Sequence, residues 1–127
     1  MQNPYKVLSR AKVIVIESYD QQHAFQTPML FVEHEERYYV RALSGSEKVQ
    51  RMMNNADVRV SASDYSGQPK SDWFKAVAVV HDEKEMKWVA NIMRKEFGLG
   101  CSMVLFREWI KRGFRSQKCV VVEIQIV

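Results

Sequence analysis

The pattern of apolar and polar positions along the chain predicts mostly β-structure. Residues 58–63 alternate cleanly, so that Val58, Val60 and Ala62 point inward from a half-buried strand. The segment Lys12–Ser18 is β-branched on both faces, which is typical of a strand covered on both sides. The polar segment Tyr19–Phe25 is expected to be a loop, and Pro28 is expected at the beginning of the following strand. The six predicted strands are Lys12–Ser18, Met29–Glu33, Arg37–Leu43, Val58–Ser63, Trp73–Val80 and Cys119–Val127.

Apolar residues at helical spacing predict peripheral helices. The clearest is Glu83–Phe97, which is expected to end at Gly98 and Gly100. The predicted helices are Tyr5–Arg10, Ser46–Asn54, Glu83–Phe97 and Ser102–Arg115. Most strands follow one another directly instead of alternating with helices, which argues against a doubly wound parallel sheet. We therefore expect residues 1–127 to form a single mainly β (α+β) domain, a small antiparallel barrel with peripheral helices.

Charge and composition limit the class of protein only mildly. The net charge of +4 comes from 19 basic and 15 acidic residues, and only Arg107–Lys118 is locally basic. This charge suits an anionic small molecule as well as nucleic acid. No apolar run approaches the ~20 residues of a membrane span, and the first residues show no signal-peptide pattern, so the cytoplasm is the expected location. Cys101 and Cys119 have no metal-binding spacing and are interpreted as ordinary thiols.

The stretch from Arg37 to Asn55 carries the clearest chemical signal. It reads as a strand that turns sharply into a short helix, and Ser44-Gly45-Ser46-Glu47 fits a capping box at the turn. A cation near a helix N-terminus is unfavourable, yet Lys48 and Arg51 lie there and Arg41 precedes them. Together with free N–H groups and hydroxyls, these cations predict an anion site, most simply for a phosphate. The alternative is a solvated basic helix start.

Side-chain catalysis has little support in the sequence. The three histidines, His23, His34 and His81, lie in no nucleophile motif, and no cluster has a metal-ligand spacing. No Walker loop or GxGxxG motif is present. If the protein is an enzyme, the hard chemistry must come from a bound organic cofactor.

Four motifs in order give the chain a recognisable resemblance. They are Thr27-Pro28-Met29-Leu30-Phe31, Tyr38-Tyr39-Val40-Arg41-Ala42, Ser46-Glu47-Lys48-Val49-Gln50-Arg51 and Asp57-Val58-Arg59-Val60. In this order they resemble the pyridoxamine 5′-phosphate oxidase-like, FMN-binding split-barrel superfamily. The resemblance covers roughly residues 5–127 and implies a six-stranded antiparallel split β-barrel that forms a homodimer, with the cofactor at the interface.

The resemblance also implies a set of cofactor-binding residues. Arg41 and Lys48 would contact the cofactor phosphate, assisted by Ser46 and with Arg51 in second rank. Thr27, Pro28 and Met29 would lie along the ring edge. Ala42 occupies the position where the superfamily usually has Thr or Ser, which removes one phosphate hydroxyl.

The function that this implies is an FMN-dependent oxidoreductase acting on a small-molecule substrate. The alternatives are a deazaflavin-dependent reductase and a non-catalytic protein that holds flavin or haem on the same fold. The specific reaction of pyridoxamine-phosphate oxidases is not assigned, because their substrate-binding residues are not recognisable. A nucleic-acid-binding barrel, suggested by the basic pI with Tyr38 and Tyr39, is disfavoured because no aromatic-lined basic stripe is evident.

Overall fold

The computed structural model describes residues 2–97 and 119–127, and its centre is one antiparallel sheet. The strands are β1 (Val13–Tyr19), β2 (Ala24–Leu30), β3 (Val32–His34), β4 (Arg37–Leu43), β5 (Asp57–Ser63), β6 (Phe74–Asp82) and β7 (Cys119–Ile126). Their order in the sheet is β2-β1-β5-β6-β7-β4-β3. The sheet therefore has seven strands, and the predicted count of six is wrong.

The error lies in the second predicted strand. Met29–Glu33 spans the end of one strand and the beginning of another, because β2 pairs with β1 as far as Leu30 whereas Val32 already pairs with β4. The predicted loop Tyr19–Phe25 is also partly wrong, since β2 begins at Ala24. The strand β2 lies at the edge of the sheet and is largely exposed, so its sequence lacks the apolar alternation of a half-buried strand. Pro28 lies inside β2, which an edge strand tolerates because its outer N–H groups need no ladder partner.

The sheet curls so that one face encloses the main core. Side chains from β1, β4, β5, β6 and β7 meet there, including Ile14, Tyr38 and Val60, and Leu8 of the first helix packs on the same cluster. The inward placement of Val58, Val60 and Ala62 is confirmed by their burial. Because successive side chains of a strand point to opposite faces, β4 sends Tyr38, Val40 and Ala42 inward and Tyr39 and Arg41 outward. This interior and the edge contact between β2 and β4 give the barrel-like shape.

Three α-helices among the described residues lie outside the sheet. They are α1 (Pro4–Ser9), α2 (Glu47–Asn54) and α3 (Lys87–Phe97), and a 3₁₀ turn over Glu83–Met86 leads into α3. Val89 and Met93 of α3 cover the outer face of the sheet at Tyr39 and Val121. The predicted helix Ser102–Arg115, the glycines Gly98 and Gly100, Cys101 and the basic stretch Arg107–Lys118 lie outside the described residues. Within the described part of the chain, no helix has the length and apolar character that crossing a membrane requires.

Candidate functional site

The strand β2 and the helix α2 bring the two most distinctive motifs together. The Met29 side chain packs against a cluster formed by Ala42, Val49 and Val120, so the edge strand lies near the end of β4 and the start of α2. Thr27 is half-buried and shares the face of Met29, since the two residues are two positions apart on a strand. This places Thr27, Met29, Ala42 and the first turn of α2 on one side of the molecule.

Pro28 points the other way. A Cβ atom added to Gly67 would lie 3.2 Å from Cγ of Pro28, so the loop between β5 and β6 passes close to this ring. Gly67 has a φ of +93°, a conformation that glycine adopts without strain. The side chain of Pro28 therefore lies exposed beside this loop, on the opposite face of β2 from Thr27 and Met29.

The first turn of α2 differs from the predicted capping box. The N-cap is Ser46, and its hydroxyl donates to the carbonyl of Leu43 at 2.8 Å instead of accepting from a helix N–H. The predicted box beginning at Ser44 is therefore wrong: Ser46 is fully buried and turned back toward the strand. The first-turn N–H groups consequently receive no cap from the N-cap side chain. Lys48 lies half-buried in this turn, directly before the buried Val49.

Arg41 lies on the opposite face of β4 from Ala42 and is already paired. Its Nη2 atom is 2.8 Å from Oε1 of Glu83, and its side chain is only 11% exposed. Its Nε atom is buried and has no hydrogen-bond partner among the described residues. The half-buried thiol of Cys119 lies beside this pair, and its pKa is raised, first by burial and then by the Glu83 carboxylate. Any anion that binds Arg41 must share the guanidinium with Glu83.

Arg51 is held differently. Its Nε atom donates to Oγ of Ser18 at 2.8 Å, and its guanidinium carbon lies 4.2 Å above the ring of Phe25. The nearest carboxylate that forms an ion pair with it, that of Glu47, is 4.0 Å away and 88% exposed, an arrangement that contributes little. The structure therefore ties Arg51 to β1 and β2 and leaves most of its charge unneutralised by the described residues.

Two buried carboxylates carry polar networks that sequence reasoning did not single out. Glu17 accepts hydrogen bonds from Tyr19, Gln26 and Arg59. Burial alone would raise the pKa of Glu17, but these hydrogen bonds and the Arg59 charge outweigh it, and its pKa is lowered. The sequence signal that could have identified Glu17 was its position as an acidic residue in the β-branched strand predicted over Lys12–Ser18.

The second network lies around Glu123 on the outer face. Its carboxylate pairs with His81 at 2.9 Å, Arg37 at 3.1 Å and the Gln125 amide at 2.8 Å. Glu123 and Gln125 are two positions apart on β7 and therefore share this face. As with Glu17, hydrogen bonds overcome the effect of burial and lower the pKa of Glu123. Both networks fasten strands to one another, and no group of three metal-ligating side chains occurs among the described residues.

A flavin-type cofactor fits this arrangement in part. Lys48 and the first turn of α2 provide a cation and backbone donors for a phosphate, and Thr27 and Met29 lie on the adjoining strand face. The orphaned Nε atom of Arg41 offers a further donor, but the Glu83 carboxylate competes for the same guanidinium. The residues present therefore suit a phosphate anchor centred on Lys48.

Comparison with known proteins identifies the fold. No protein-family model matches the sequence, and no match is found among curated proteins. Solved structures do match. The haem storage protein HutZ from Vibrio cholerae is 17% identical, with a TM-score of 0.69, covering 96% of this chain and 86% of that one.

Two further structures share the fold. A putative pyridoxamine 5′-phosphate oxidase from Listeria innocua is 17% identical, with a TM-score of 0.63, covering 95% of this chain and 88% of its own. An F420 reductase is 10% identical, with a TM-score of 0.63, covering 100% of this chain and 96% of its own. The chain therefore has the pyridoxamine 5′-phosphate oxidase-like split-barrel fold, as the order of its motifs implied.

Proposed function

We propose that this protein binds FMN and works as a flavin-dependent oxidoreductase on a small organic substrate. The observation that carries the proposal is the packing of Met29 against the cluster formed by Ala42, Val49 and Val120. That contact sets the predicted ring-edge strand beside the predicted phosphate turn, as a single cofactor lying across both would require. A bound flavin supplies the hydride or electron chemistry, and the residues of this chain bind and orient it.

In this proposal Lys48 is the main phosphate anchor. The first-turn amides of α2 support it, because the Ser46 hydroxyl is directed to Leu43 and does not cap them. Arg41 is a secondary contact, since Glu83 already neutralises much of its charge. The proposal also includes a homodimer with the cofactor at its interface and a location in the cytoplasm.

The fold neighbours favour two alternatives on the same fold. One neighbour is an F420 reductase, which supports a deazaflavin cofactor in place of FMN. Another is a haem storage protein, which supports a non-catalytic carrier. The phosphate anchor separates the first of these from the second, because haem carries carboxylates and no phosphate.

The experiment is equilibrium dialysis of the purified protein with FMN, followed by an absorbance spectrum of the complex. We expect one FMN per chain, and Lys48→Ala should weaken binding by about 1.5–3 kcal/mol, the scale of a charge-assisted hydrogen bond. Lys87→Ala is the matched control, because Lys87 is an exposed lysine at the start of another helix, α3. Equal FMN affinity in wild type and Lys48→Ala would remove Lys48 from the site.

A further inference from the structure

A cleft with no assigned role opens beyond the far end of α2. It has a volume of about 600 Å³ and lies between the C-terminal turn of this helix and the turn that joins β1 to β2. Pockets of this size bind small organic molecules. Its lining residues are Tyr19, Asp20, Gln21, Arg51, Asn54 and Asn55. The cleft begins at Arg51 in the middle of the eight-residue helix α2 and extends to Asn55 just beyond its C-terminus, at the end of the helix opposite the Ser46 turn.

Arg51 is the cation of this cleft, and it is fixed before any ligand arrives. The hydrogen bond from Nε to Ser18 and the stack on Phe25 restrict the guanidinium plane, and the side chain is only 13% exposed. A guanidinium fixed by its Nε atom still has two terminal amino groups, which can bind the two oxygens of a carboxylate. Fixing the side chain in advance lowers the entropic cost of binding.

The other lining groups favour a ligand with a single negative charge. Oδ1 of Asp20 accepts from the backbone N–H groups of Gln22 and His23, which lower its pKa and keep it ionised. Oδ1 of Asn55 accepts from the N–H of Asp57, so that its amide nitrogen remains a donor. One cation and one anion therefore share the cleft with neutral amides. A dianionic phosphate would gain one partner and be repelled by Asp20 and by the nearby Glu47.

We propose that this cleft binds a small organic carboxylate, with its oxygens on Arg51 and its body between the amides of Asn54 and Asn55 and the β1–β2 turn. The site is separate from the phosphate anchor at Lys48, so it does not depend on the identity of the cofactor. Arg51, ranked above as a secondary phosphate residue, serves this second ligand instead.

The test is an NMR titration of the full chain with benzoate and with benzamide, which has nearly the same shape and no charge. Benzoate should bind with a dissociation constant on the order of 1 mM and should shift the backbone amides of Gln21, Asn54 and Asn55. Benzamide should bind at least ~10-fold more weakly, because the charge-assisted pair is lost. Absence of benzoate-induced shifts at these three amides would overturn the proposal, as would equal binding of the two probes.

Variants at two positions separate ligand binding from folding. Arg51→Gln should weaken benzoate binding at least ~10-fold. Because Arg51 also contacts Ser18 and Phe25, Asn54→Asp is a second variant that leaves those contacts in place. It adds a like charge beside the ligand and should weaken benzoate about fivefold, whereas Lys75→Gln, at an exposed cation on β6, should have no effect.

Competition with FMN distinguishes this site from the proposed cofactor site. Benzoate shifts that persist at saturating FMN support a separate cleft. Displacement of benzoate by FMN would overturn the proposal, because Arg51 would then belong to the cofactor site. Loss of FMN binding in Lys48→Ala with unchanged benzoate binding would support both the phosphate anchor at Lys48 and the separate carboxylate cleft.

Discussion

Arg41 and Arg51 have the same side chain and lie ten residues apart, yet the structure uses them in opposite ways. Arg41 lies on the outer face of β4 and is paired at 2.8 Å with Glu83. Arg51 faces β1 and β2, where its contacts are a hydroxyl and an aromatic ring, with its nearest ion-pair carboxylate exposed and 4.0 Å away. One guanidinium is largely neutralised, whereas the other keeps its charge for a ligand.

The difference shows that the availability of a cation depends on its partner as much as on its motif. Glu83 is 42 residues from Arg41 in the chain, and it reaches the guanidinium only because β6 ends beside β7 and passes into the 3₁₀ turn. The motif around Arg41 therefore cannot show that its charge is paired.

The largest expected change in the free energy of unfolding comes from neutralising the carboxylate paired with each arginine, which is Glu83 for Arg41 and Glu47 for Arg51. Glu83→Gln should reduce the free energy of unfolding by about 3 kcal/mol, because it leaves a nearly buried guanidinium without its counter-ion. Glu47→Gln should change it by less than about 0.5 kcal/mol, since Glu47 is exposed and distant from Arg51. Urea unfolding at pH 7 measures both values. Equal losses of unfolding free energy in the two variants would contradict the proposed difference between Arg41 and Arg51.

A smaller loss of unfolding free energy is expected from a substitution in the loop between β5 and β6, which passes close to β2 at Pro28. Gly67→Ala should cost about 1–2 kcal/mol, because it puts a Cβ atom at positive φ and 3.2 Å from Pro28. Pro28 lies on the strand that carries Phe25 under Arg51, so this variant should also disturb the Arg51 side. The neighbouring exposed Gln68→Ala should be neutral in urea unfolding. A stable Gly67→Ala variant would show that the loop does not position β2.

Ser18→Ala should cost about 1 kcal/mol, since it removes the hydroxyl that accepts from Nε of Arg51 inside a buried strand. The control is Ser9→Ala, where the hydroxyl donates to an exposed helix carbonyl and its loss should be within about 0.5 kcal/mol. Thermal unfolding of both variants at one pH provides the measurement. If Ser18→Ala matches the control, Arg51 is not anchored as described.

The smallest effect is the pH dependence of the stability contributed by Glu17. This residue pairs with Arg59 and is almost completely buried. The pKa of Glu17 is lowered below its ordinary value of 4.5 in the folded protein, so the unfolded chain takes up the proton first as the pH falls. The stability that Glu17 contributes is therefore present above pH 4.5 and disappears as the pH drops through its folded pKa. The difference in unfolding free energy between wild type and Glu17→Gln should shrink over this range. A difference independent of pH would contradict the assignment.

The sequence predicted those parts of the fold whose signals are local. Arg37–Leu43 was predicted with its observed bounds, and the predicted helix over residues 46–54 differs only in that Ser46 is its N-cap. The edge strand β2 was divided wrongly because it is exposed and has no core-facing alternation. In the site, the cofactor roles of Met29 and Ala42 came only from the resemblance and stay predictions. The Arg41–Glu83 pair and the Ser46–Leu43 hydrogen bond depend on tertiary contacts that no local pattern encodes.

The central claim, a phosphate anchor centred on Lys48, is tested most directly by comparing FMN with riboflavin, which lacks the phosphate. Dissociation constants are measured for both ligands with wild type and Lys48→Ala. The account predicts that wild type prefers FMN by at least ~10-fold and that Lys48→Ala loses most of this preference while its riboflavin affinity stays the same. Equal affinity of wild type for FMN and riboflavin, or a preference that survives Lys48→Ala, would contradict it.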